Sequence, residues 1–135
     1  MLTTFIDYSR HYFENVAGEP LPPDRSGKFV QIWLGHTEEF IVVAPKPLAA
    51  YHANIVERFL TERDVAGNYN AKRDVYAHRD DAWTVIGGGR FELDDQARTL
   101  RFYSRSIGYG PFERPGLADR LATCPALTGY HIGVE

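Results

Sequence analysis

Three parts of this sequence have residue types and spacing suited to chemistry: His52, the run Gly87-Gly88-Gly89-Arg90, and the run from Ser104 to Pro111. His52 falls on the apolar stripe of a helix that the spacing of Leu48, Tyr51, Ile55, Phe59 and Leu60 predicts over about 48–63. A lone histidine on such a stripe is commonly a satisfied core residue. Burial and a helix N-terminus both disfavour the imidazolium, however, and a neutral ring suits a base or a nucleophile. If the helix begins at Pro47, the dipole lies about a turn away and adds little.

Three consecutive glycines inside a strand pattern leave nothing to pack. They signal a bulge, a bend, or close approach by another backbone or a ligand. Arg90 follows them, either as a solvated cation or as an anion contact. No G-x-G-x-x-G opens a helix here, so this is not a dinucleotide fingerprint. The run Ser104-Arg105-Ser106-Ile107-Gly108-Tyr109-Gly110-Pro111 combines hydroxyls, glycines and bare amides after a strand. It reads as an anion nest or as a simple turn.

Other chemistries lack support. His11, His36, His78 and His131 show no ligand spacing, so no metal is expected. Neither serine lies in a G-x-S-x-G elbow. Cys124, the single cysteine, excludes an internal disulfide and reads as a buried apolar residue on a second helix. The 135 residues carry 15 − 18 = −3 formal charges, which argues against a nucleic-acid partner. With 44% apolar and 24% charged residues, the chain has an ordinary globular composition and the length of one domain. No apolar run is long enough for a bilayer, and the N-terminus lacks the features of a signal peptide. A soluble, cytoplasmic protein without a membrane partner is the expectation.

The elements that must position these groups follow from periodicity. Phe5, Tyr8, Tyr12 and Val16 predict a short N-terminal helix, followed by a loop over 21–27. Lys28, Val30, Ile32 and Leu34 share one strand face, and Phe40 to Ala44 is an apolar central strand. Residues 73–79 and 82–88 predict a hairpin around Asp80-Asp81, with 65–70 as loop. Residues 91–93 and 99–106 predict another around Asp94-Asp95-Gln96. A shorter helix over 115–123 buries Leu117 and Leu121, and 130–134 is a closing strand. The class is α+β: a small mixed, largely antiparallel sheet with helices packed on it, in a single domain.

Taken together, Tyr51-His52-Ala53-Asn54-Ile55, Gly87-Gly88-Gly89-Arg90, Ser106-Ile107-Gly108-Tyr109-Gly110-Pro111 and the opening strand Lys28-Phe29-Val30-Gln31-Ile32 resemble the Janus/Ocnus family. The resemblance covers about 28–134 and sets residues 1–27 apart as an N-terminal extension to a domain of 28–135. It implies a sheet packed between two helices and hydrolysis of phosphohistidine or other phosphoramidates without a metal or other cofactor. His52 would be the essential histidine, Lys28 and Arg90 the cations, and Ser106, Ile107 and Gly108 the phosphate-binding loop. The implied partners are a phosphorylated protein or a small phosphoramidate, with phosphate or sulfate fitting the pocket. A second reading keeps the pocket as a non-catalytic anion-binding module. Animal-type members carry an arginine where this chain has Ala44, and alanine where it has Gly108.

Overall fold

The computed structural model describes residues 1–135. Its centre is the antiparallel pair β2 (Asp24–Leu34) and β3 (Glu38–Pro45). Alternation assigns their side chains to two cores. Val30, Ile32, Val42 and Ala44 enter one, while Phe29, Ile41 and Val43 enter the other. The helix α1 (His52–Thr61) covers the first face with Ala53, Ile55, Val56, Phe59 and Leu60. The second face is closed by Phe112, Cys124, Leu127 and the single-turn helix α2 (Leu117–Leu121).

On the other side of β2 runs β6 (Trp83–Asp94), then β7 (Thr99–Tyr103) and β8 (His131–Val134). The six-stranded order is β1-β3-β2-β6-β7-β8, with β1 (Leu2–Asp7) parallel to β3 and β8 parallel to β7. The remaining pairs are antiparallel, so the α+β class stands. No helix is long and apolar enough to cross a membrane.

Several expectations are corrected, among them the loops over 21–27 and 65–70, since β2 already begins at Asp24 and Gly67–Tyr69 is a short strand. The first segment is not a helix. Leu2–Asp7 is an edge strand, and a short helical stretch begins only at Ser9. The Phe5/Tyr8/Tyr12/Val16 spacing fits a helix by coincidence. Phe5 and Ile6 instead pack on opposite sheet faces, as adjacent strand residues must, and Thr3 Oγ1 donates to the buried Glu39 at 2.8 Å.

The strand β5 (Tyr76–His78) pairs with β4 (Gly67–Tyr69), not with residues 82–88. Asn70 decides this: its side-chain oxygen accepts from the amides of Asp74 and Val75 and closes the turn upstream of β5. The long helix also starts late. Residues 46–48 form a turn on Pro45, whose carbonyl accepts from the amides of Leu48 and Ala49, and α1 begins at His52 with Tyr51 as its N-cap.

Candidate functional site

The late helix start places His52 in the first turn of α1, where the dipole opposes a positive ring. The residue as a whole is 8% exposed. Its Nε2 lies 2.8 Å from the carbonyl oxygen of Gly89. A carbonyl only accepts, so Nε2 carries the proton and the neutral ring holds its lone pair on Nδ1. Burial is the main cause that holds the His52 pKa below its ordinary value. The Gly89 bond opposes this, and the charges of Lys28 and Arg90 reinforce it.

The glycine run is what lets the ring approach. It lies within β6, beside a bulge where the register with β2 shifts between Gln31 and Ile32. A Cβ on Gly88 would stand 2.5 Å from the Phe29 carbonyl oxygen and 2.9 Å from His52 Cδ2. A Cβ on Gly89 would collide with the Tyr103 carbonyl. Of the readings left open for the glycines, close approach is the one observed, together with an adjacent bulge.

Register sets the cations. Lys28 on β2 is directly opposite Arg90 on β6, whose other neighbour is Tyr103 on β7. Side chains of Lys28, Arg90, Tyr103 and Lys46 line a concavity of about 150 Å³ with Ser26, Gly27 and Phe91. None of the three cations has a carboxylate partner; the chain's ion pairs use Arg10, Arg25, Arg63, Arg101 and Arg120 instead. Desolvation, then Arg90, then Lys46 hold the Lys28 ammonium below its ordinary pKa. Like charges directly opposite on a sheet repel, so an uncompensated trio at one cleft is an anion site in waiting.

Lys46, which the sequence places near but not at the position of the arginine of animal-type members, is absent from the expected site and lines the cleft. The alternation Ala44, Pro45, Lys46 carries the signal, because it returns Lys46 to the face of Lys28. Ala44 itself is 1% exposed and packs in the α1 core with Ala49 and Ala53.

The loop after β7 attaches to the same glycines. Gly88 N donates to Gly110 O at 3.2 Å, and Ser106 and Gly110 exchange backbone hydrogen bonds of 3.1 and 2.8 Å. Ser106 is fully buried, and its Oγ accepts from Tyr109 N at 3.1 Å. The amides of Ile107 and Gly108 have no hydrogen-bond partner within the chain, and Ile107 is 92% exposed. Lys28 and Arg90 therefore share one cleft, with His52 beside it through Gly89. Ser106–Gly108 does not line that cleft; it is tied to the glycine run through Gly110.

Tyr109 anchors this loop from behind. Its hydroxyl accepts from Tyr76 N at 2.7 Å and donates to Tyr76 O at 3.1 Å, and burial pushes its pKa up to about 12. Tyr109→Phe is expected to leave Tyr76 without both bonds and to lower stability by about 1–2 kcal/mol. Urea denaturation monitored by fluorescence reads this directly, and an unchanged midpoint would contradict the anchor.

No group of three or more His, Cys, Asp or Glu side chains is placed to hold a metal ion. Comparison with curated proteins returns no match. The model of the Janus/Ocnus family (Ocnus) matches residues 24–124, the span from the start of β2 to Cys124 that holds His52, the cations, the glycines and the loop. By that match, which spans about three quarters of its length, the chain belongs to the Janus/Ocnus family.

Proposed function

We propose that the protein is a phosphatase of phosphohistidine or related phosphoramidates that works without a metal. The observation that carries this reading is His52: a ring tied through Nε2, with a free lone pair on Nδ1, close enough to the unpaired cations Lys28 and Arg90 to feel their charge. Phosphoryl transfer needs positioning and neutralisation of the equatorial oxygens. Lys28, Arg90 and Lys46 supply the charge, while the Ser106–Gly108 loop, which lies outside the cleft, adds no donor to it.

The leaving nitrogen, the imidazole of histidine or the amine of another phosphoramidate, takes a proton from solvent as the P–N bond breaks. His52 Nδ1 serves in one of two ways. It attacks phosphorus and the resulting phosphohistidine is then hydrolysed by water, or it takes a proton from the attacking water. Both routes end in the free imidazole or amine and inorganic phosphate. A non-catalytic anion-binding module is the competing reading, and the small exposure of His52 favours it. The absence of an arginine at position 44 favours it less than the sequence suggests, because Lys46 brings a cation to the cleft.

Hydrolysis of phosphoramidate in excess chelator separates the readings. The enzyme turns over unimpeded, whereas a binding module takes up phosphate without turnover. Loss of rate in chelator that a divalent ion restores would contradict metal independence. The rate should be full above the lowered pKa of His52 and fall as the pH drops through it, so the acid limb lies below an ordinary histidine pKa of about 6.5. A limb at or above that value would contradict a neutral, buried His52.

A further inference from the structure

The face of β2 and β6 that carries Lys28 and Arg90 continues beyond the reach of α1, which packs on β2, β3 and β5. There the sheet is bare and polar. Four residues along the same strands, Asp24 and Asp94 are directly opposite one another, as Lys28 and Arg90 are. Two like-charged cross-strand pairs of opposite sign thus stand on one face, roughly 13 Å apart at extended-strand rise. Each is unfavourable alone. Asp24 has no side-chain partner, and Asp94 Oδ1 accepts only from the amides of Gln96 and Ala97. Between the pairs, Arg101 is already neutralised by Glu92 and Glu135.

An open groove of about 630 Å³ runs over this face and shares Ser26 and Tyr103 with the cationic cleft. Its polar, shallow lining is unlike the enclosed apolar pocket that a small molecule prefers. We propose that this groove holds an extended phosphorylated polypeptide, with its phosphoryl group at Lys28 and Arg90 and a lysine or arginine about four residues away at Asp24 and Asp94. The proposal rests on the phosphatase reading only for what happens to the phosphoryl group. Charge complementarity and continuity with the cleft define the occupant.

The test is fluorescence anisotropy with two peptides bearing a non-hydrolysable phosphohistidine isostere, one with lysine and one with glutamate at four residues on either side. The lysine peptide should bind at least about tenfold more tightly, a difference that shrinks with added salt. Asp24→Asn/Asp94→Asn should abolish the preference and leave the affinity for inorganic phosphate unchanged. Asparagine keeps the acceptor for the turn at position 94, and a thermal melt checks the fold. Equal binding of the two peptides by the wild type, or a preference that survives the double substitution, would overturn the groove. Hydrolysis of a small phosphoramidate, measured separately, reports on the phosphatase reading alone.

Discussion

Alanine at Gly88 is expected to destabilise the protein by roughly 3 kcal/mol and to remove whatever the site does. The new methyl would sit 2.5 Å from the Phe29 carbonyl oxygen and 2.9 Å from His52 Cδ2. Neither neighbour is the free end of a flexible side chain. The first is backbone of a central strand, and the second is a ring held on Gly89 and packed at a helix start. Relief therefore means opening β2 from β6 or expelling His52, and both disturb the cations set by that register. Gly133→Ala is the control, since its Cβ would meet nothing closer than 4.0 Å and should change stability by about 0.5 kcal/mol or less. Equal midpoints for the two variants in denaturant would show that the glycines are not kept for the approach of His52.

Lys28→Ala and Arg90→Ala should each cost on the order of 3 kcal/mol of barrier, about a hundredfold in rate, and should also weaken phosphate binding. A cation on the equatorial oxygens acts in both the bound ground state and the transition state, so both quantities move. Stability without ligand should move the other way. Removing one of two cations placed directly opposite relieves repulsion, and each variant should gain roughly 0.5 kcal/mol. Calorimetric phosphate titration with denaturant melts reads both effects. Unchanged phosphate affinity in either variant would remove that residue from the site.

Much of this was legible in the sequence because the signals were local. The alternation of Val30, Ile32 and Leu34 and the apolar run 40–44 define β2 and β3 without tertiary help. The stripe Ile55, Phe59 and Leu60 defines the body of α1, and Asp94-Asp95-Gln96 the turn before β7. What was not legible depends on contacts distant in sequence. β1 exists because β3 has an open edge for Phe5 and Ile6 to follow, a parallel pairing that no local spacing announces. β4 is three residues made strand only by β5 and the Asn70 turn. The start of α1 at His52 depends on the Pro45 turn holding residues 48 and 49 outside the helix. Lys46 joins the cleft because Pro45 pairs with Gly27 and brings position 46 alongside β2.

The central claim is that the Nδ1 lone pair of His52 performs the chemistry and the cations do the binding. The most direct measurement is phosphorus NMR of phosphohistidine incubated in excess chelator with the wild type or with His52→Ala, followed by titration of each protein with phosphate. The account predicts release of inorganic phosphate by the wild type only, with both proteins folded and both still binding phosphate. Full turnover by His52→Ala would return His52 to the role of a core histidine. Phosphate binding by the wild type without any release above the uncatalysed rate would leave an anion-binding module in place of an enzyme.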